Sequence, residues 1–346
     1  MFYIYLLIGS AVLFVITSQL LKLFIANAQR FSLMDIPNER SAHTKPVARG
    51  AGMVFGTVFM VTLLLLHFFF SSYMHVNIYV ILSLFVIYLA GVYDDFNDID
   101  YKTKFLFIIG ATIIVYYNGI GIHSLGHYFG YDFKLGYFAL PFTIFALAGF
   151  TNALNLTDGL DGLAGSISIV IAAGLLYIGI AHADHFLILS SLSLIAVLLA
   201  FLRYNWYPAK VFMGDSGSLF LGFVLGVLAV YALRYIHPIS GFFLAAIPLL
   251  DTLMVMKRRK QRGQSLFVAD KNHLHHILLK MKGEKKEAVR VLIKWQILFT
   301  LIFVQVSDKS DLINALLFAL LFRIFFKLFD PRMDYRKREE KLRNNE

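Results

Sequence analysis

Apolar runs long enough to cross a bilayer follow one another along almost the whole chain, and they decide which solvent the fold is built for. The hydrocarbon core needs about 20 apolar residues per helical crossing. Runs of that kind are predicted at 2–25, 52–72, 76–92, 104–118, 138–154, 162–182, 185–202, 217–235, 240–256, 291–306 and 311–328. About eleven spans of that length occupy roughly 220 residues, which leaves roughly 126 for all loops and tails and no room for a separate soluble domain. Charged residues are 16% and hydrophobic residues 58%, whereas a soluble domain carries about 25% charged. Water-soluble enzymes, nucleic-acid binders and secreted disulfide scaffolds are excluded on this ground. The chain has no cysteine, which removes thiolate nucleophiles and Cys-based metal sites as well.

The expected fold is all-α: a polytopic membrane helix bundle of about eleven transmembrane helices. The first run has no positive segment before it and no small-residue cleavage site after it, so it reads as a first span and not as a signal peptide. The run at 138–154 is the weakest, because Pro141 and Gly149 interrupt it. Lys and Arg fall on one side: the connection 257–290 holds eleven and the tail 329–346 six, while the opposite side shows only Lys134, Arg234 and Lys309. Positive loops stay in the cytoplasm, which puts the N-terminus outside and the C-terminus inside. Residues 1–328 read as one transmembrane catalytic domain and 329–346 as a basic cytoplasmic tail suited to anionic membrane lipid.

The polar minority carries the chemistry, and it collects on that same basic side. Where the third run ends, Tyr93-Asp94-Asp95-Phe96-Asn97-Asp98 offers carboxylates that suit a hard cation such as Mg²⁺; a solvated acidic helix end has the same appearance. Asn152, Asn155, Asp158 and Asp161 crowd the start of the sixth run, with Asp158 and Asp161 three apart as on one helical face and Thr157 or Asp158 placed to cap that helix. Asn205 precedes Phe212-Met213-Gly214-Asp215-Ser216-Gly217, where Asp215 is placed either to cap the eighth run or to hold a metal. His273, His275 and His276 admit two readings, zinc ligation or donation to a diphosphate. Lys45 and Arg49 flank a glycine-containing loop suited to phosphate, although no Walker pattern is present. Asp251, after Pro248, either faces the site or pairs within the bundle. Together these residues point to an enzyme handling phosphates at the cytoplasmic membrane face, with Mg²⁺ as its cation.

Taken in order, YDDxxD, NALNLTDGLDGLAG, FMGDSGS, IPLLD and HLHH resemble the motifs of the polyprenyl-phosphate N-acetylhexosamine-1-phosphate transferases, the glycosyltransferase 4 family, over about residues 35–290. HLHH and the span layout bring the chain nearer the undecaprenyl-phosphate GlcNAc-1-phosphate transferase branch, and PNERSAHTKPVARGAG looks like its O-antigen-initiating members of lipopolysaccharide biosynthesis. The resemblance implies transfer of N-acetylhexosamine-1-phosphate, by default GlcNAc-1-phosphate, from a UDP-sugar to undecaprenyl phosphate with release of UMP. It implies a bacterial inner-membrane enzyme using Mg²⁺, with Mn²⁺ as a substitute, no nucleic-acid partner, and a homodimer as one option. Carried onto this chain it makes Asp215 the main metal ligand with Asn155 and Asp94 beside it. Asp94 becomes the proton acceptor, supported by Asp95. Asn152, Asn155, Asp158 and Asp161 shape the nucleotide and metal pocket. Asn205 and Phe212 lie near the uracil, Lys45 and Arg49 near the nucleotide, and His273, His275 and His276 at the diphosphate or sugar. Gly50-Ala51-Gly52 departs from the consecutive glycines usual there.

Two other classes fit less well. A secondary transporter of an anionic solute would place its polar residues near the midplane, but these lie at one face. A CDP-alcohol phosphatidyltransferase would add an Ala-Arg pair and a downstream DxxxD to the DG motif, and both are missing.

Overall fold

The computed structural model describes residues 2–37, 45–71, 77–261, 263 and 273–329. The basic tail beyond Phe329, and Asp270 to Asn272 before the histidines, lie outside the described residues. The helices are α1 (Phe2–Asn27), α2 (Gly52–Phe69), α3 (Ile78–Asn97), α4 (Tyr101–Tyr117), α5 (Ala139–Thr157), α6 (Leu163–Ala181), α7 (His185–Asn205), α8 (Asp215–Ala232), α9 (Gly241–Leu244), α10 (Ala246–Gln261), α11 (Leu274–Lys282), α12 (Lys285–Val306) and α13 (Asp311–Leu328). The chain is a multi-pass helical membrane protein. Eight helical stretches among the described residues are long and apolar enough to span, nine if a bent pair counts as one. The eleven expected runs exceed that number through α4, which has 17 residues, and α13, which carries Asp311, Arg323 and Lys327.

Three local expectations are corrected. The ninth run is no straight crossing: it breaks at Ala245, and the segments Pro238–Leu244 and Ala246–Gln261 meet at 91°. The run that Pro141 was expected to weaken is a continuous helix, because Pro141 lies in the first turn of α5, where its missing N–H deprives no intrahelical bond. The fold is also not purely helical. Strands β1 (Met34–Asp35), β2 (Val47–Arg49) and β5 (Val211–Phe212) form one small sheet, in which β2 pairs antiparallel with β1 and parallel with β5. A hairpin of β3 (Ser124–Tyr128) and β4 (Tyr131–Lys134) fills the connection between α4 and α5.

Helix α8 is the axis of the bundle. From Ser216 onward it is buried on all sides almost without interruption, with Phe220 and Phe223 fully enclosed, as expected of a helix apolar all round that packs against protein and not lipid. α2, α3, α5 and α6 surround it. Its polar first turn, Asp215-Ser216-Gly217-Ser218, therefore emerges where several helix ends meet.

Candidate active site

Close backbone approach creates the site. A β-carbon on Gly91 of α3 would stand 2.7 Å from both the Asp215 carbonyl oxygen and the Ser216 Cα, and one on Gly52 of α2 would overlap the backbone of Gly217. Glycine at these positions lets α2 and α3 close onto the start of α8. Asp95, buried at the end of α3, then reaches across. Its Oδ1 accepts the Asp215 amide at 2.8 Å and its Oδ2 the Ser216 amide at 3.1 Å. A carboxylate thus caps α8 from a different helix, at the positive end of the macrodipole. Of the two roles open to Asp215, cap or metal ligand, the cap is ruled out: Asp215 is the first helical residue, and Gly214 holds the N-cap position with φ 72°. Arg49 donates to the Asp95 carbonyl oxygen at 2.8 Å, held there by the pairing of β2 with β5, which sets Arg49 opposite Phe212.

A lysine that sequence reasoning missed joins the two principal acids. Lys104 Nζ lies 2.5 Å from Asp94 Oδ2 and 3.2 Å from Asp215 Oδ2. Asp94 is buried and its Oδ1 accepts the Ile99 amide at 2.8 Å. On the other side, Asn155 Nδ2 donates to Asp215 Oδ1 at 2.6 Å and to Ser218 Oγ at 2.7 Å. The short 98–100 connection folds α4 back along α3 and brings the first turn of one beside the last turn of the other. That hairpin was the available signal. It went unused because lysines at span ends are expected from topology alone. Asp35, on β1, was missed as well and lines the same cavity.

The cavity has a volume of about 330 Å³, and its walls include Asp35, Arg49, Asp95, Asn155, Asp158, Asp161, Asn205, Phe212 and Asp215. Asp158 and Asp161 do not share a helical face. α5 ends at Thr157, and the two acids lie in a turn that Gly162, with φ 79°, closes by capping α6; neither Thr157 nor Asp158 does so. Asp161 Oδ2 accepts the Ala209 amide at 3.0 Å. Asn205 is spent on architecture: it accepts from Gly162 N at 2.9 Å and donates to Val211 O at 2.8 Å, which ties the turn to β5. Lys45 and Asn152 are exposed and do not line the cavity.

The histidines pack behind the cavity wall at Gly159. His275 is buried against Gly159, whose missing side chain leaves the room for its ring. His273 stacks nearly parallel to His275 at 5.9 Å, and His276 tilts against it at 4.2 Å. His273 Nδ1 lies 2.9 Å from Asp251 Oδ2. Burial, then the charge of His276, pushes the His275 pKa down to about 4, from an ordinary value of about 6.5. Its ring is therefore neutral in the folded protein at neutral pH. A depressed histidine pKa stabilises the fold fully above about 6.5 and loses that contribution as pH falls toward about 4. Thermal unfolding in detergent is expected to drop through this window, and His275→Gln is expected to flatten the drop; an equal drop in both proteins refutes the assignment.

The donor set suits a hard cation. Burial, then the charges of Asp215, Asp161 and Asp95, raises the Asp158 pKa well above the ordinary carboxylate value, a shift that a cation bound among these acids would oppose by favouring the charged form. Among the described residues, no three side chains converge as a ready metal shell. Mg²⁺ characteristically takes one or two carboxylates and completes its shell with water and phosphate oxygens.

Fold and site together define a class: a helical membrane protein that gathers carboxylates, an amide and cations from several helix ends around one cavity. The profile of glycosyl transferase family 4 matches residues 77–233. The chain is 31% identical over 257 residues to the probable undecaprenyl-phosphate N-acetylglucosaminyl 1-phosphate transferase of Bacillus subtilis, covering 73% of this chain and 71% of the relative. It is 31% identical over 274 residues to the undecaprenyl-phosphate alpha-N-acetylglucosaminyl 1-phosphate transferase of Escherichia coli O157:H7, covering 75% and 73%. The chain belongs to glycosyl transferase family 4.

Proposed function

We propose that this protein transfers N-acetylhexosamine-1-phosphate from a UDP-sugar to undecaprenyl phosphate at the cytoplasmic face of a bacterial inner membrane, as the first membrane step of a cell-surface glycan. The observation that carries the reading is the convergence of Asp95, Asn155 and Asp215 on the wall of a cavity that Arg49 also lines, with Lys104 joining Asp215 to Asp94 behind it. The names of the relatives supply the acceptor and the transferred group. UDP-GlcNAc is the default donor, and UDP-GalNAc or a deoxy-sugar analogue has the same recognisable groups.

In this reaction an oxygen of the acceptor phosphate forms a bond to the β-phosphorus of the donor. The bond from that phosphorus to the bridging oxygen breaks, and UMP leaves with the electron pair. Phosphoryl transfer depends mostly on positioning and charge neutralisation. Arg49 and Lys104 meet the diphosphate charge, and Asp95 holds the first turn of α8, with Asp215 on it, in register. The acceptor phosphate has a second pKa of about 6, so it is largely dianionic at neutral pH and the step does not depend on a strong base. Asp94 then serves chiefly to place the ammonium of Lys104. Asp215, with Asn155 and Asp94, would hold Mg²⁺, which would supply further neutralisation of the diphosphate when bound.

Purified protein in detergent, given undecaprenyl phosphate, Mg²⁺ and a panel of UDP-N-acetylhexosamines, is expected to release UMP with at least one donor. No release with any of them removes the proposal. UMP release without the lipid acceptor points to hydrolysis instead of transfer.

A further inference from the structure

Asp251 is buried on α10, close after the 91° break, and each of its carboxylate oxygens has its own partner. Oδ1 accepts the backbone amide of Leu274 at 2.7 Å, which caps the start of α11. Oδ2 lies 2.9 Å from Nδ1 of His273. A carboxylate accepts and never donates, so His273 carries its proton on Nδ1. The break in the ninth span is what makes this possible, since it brings a mid-sequence acid to the mouth of the histidine segment. The histidine rings then run from Asp251 through His273 and His275 to Gly159 on the cavity wall.

We propose that Asp251 is a positioning residue for the transfer: it locks the His273 ring and its tautomer, leaving Nε2 as the nitrogen that meets substrate. This rests on the transferase reading only for the identity of the substrate. A carboxylate that orients an imidazole through Nδ1 is a recurring device, and its amide replacement is costly because it inverts the tautomer while preserving shape.

The same logic sets the experiment. In Asp251→Asn the carbonyl oxygen continues to accept the Leu274 amide, while the new NH₂ donates to Nδ1 and drives the His273 proton to Nε2. Selective ¹⁵N labelling of the histidines in the full-length protein in detergent, with His273→Gln to assign the signal, reads the tautomer without any substrate. The unaltered protein is expected to show His273 protonated on Nδ1, and Asp251→Asn to show it protonated on Nε2. In the transfer assay Asp251→Asn is expected to lose about 10²-fold or more in kcat with a much smaller change in donor KM and little change in thermal unfolding. Asp251→Glu is expected to restore part of kcat.

The same tautomer in both proteins overturns the proposal, and so does a kcat for Asp251→Asn within about twofold of the unaltered enzyme when the tautomer has switched. If the unaltered protein releases no UMP with any donor, the transferase reading fails by itself, and the tautomer switch alone decides whether Asp251 sets His273.

Discussion

Asp215→Asn is expected to lower the rate of UMP release by about 10³-fold, about 4 kcal/mol of lost transition-state stabilisation, in a protein that still folds. The substitution keeps the size of the side chain and leaves the amides at the start of α8 capped, because Asp95 is their acceptor. What changes is charge. One oxygen of Asp215 takes the Asn155 amide at 2.6 Å and the other the Lys104 ammonium at 3.2 Å. A neutral amide meets one of these donors with a donor of its own and ends the ion pair. On the proposed reading a Mg²⁺ site would lose its principal anionic ligand in the same step. The measurement is initial rate against Mg²⁺ concentration for both proteins, with thermal unfolding as the check on folding. Full Mg²⁺-dependent activity in Asp215→Asn would remove Asp215 from the metal set.

Gly91→Ala is expected to damage the fold and the site together. Its new methyl group meets backbone on α8, at 2.7 Å from the Asp215 carbonyl oxygen and the Ser216 Cα, and backbone cannot rotate aside as a side chain can. Overpacking of this kind costs about 1–3 kcal/mol or more. The relief available is a separation of α3 from α8, which pulls Asp95 off the two amides it caps. Both a lower unfolding temperature and a large loss of activity follow. Gly149→Ala is the matched control: a β-carbon there meets nothing within 4 Å, so the usual helix preference for alanine over glycine, up to about 1 kcal/mol, acts alone. Equal effects of the two substitutions would show that the crossing of α3 and α8 is not the tight contact described.

The sequence made part of this site readable because polar residues are rare in an apolar chain. Asp95, Asn155, Asp158, Asp161, Asn205, Phe212 and Asp215 all line the one cavity, and Asp94 joins it through Lys104. The division of labour among them was less readable. Asn205 bridges two loops, and Asp95 caps a helix; both are matters of which donor stands opposite which acceptor. Lys104 was hidden by its own plausibility as an orienting charge. Asp251 had two open readings until the 91° break brought it to His273.

Solvent and class were written in the sequence itself. Long apolar runs must be buried in lipid or protein whatever their order, and one-sided positive charge biases orientation without reference to contacts. The family is likewise legible, since its motifs are local strings. Only tertiary structure decided that two glycine crossings, at Gly52 and Gly91, set the head of α8 against α2 and α3, and that the acids of a turn, a helix end and a helix start face one cavity. Those relations depend on ångström-scale approach between elements far apart in the chain, and helical periodicity carries no information about which face will meet which neighbour.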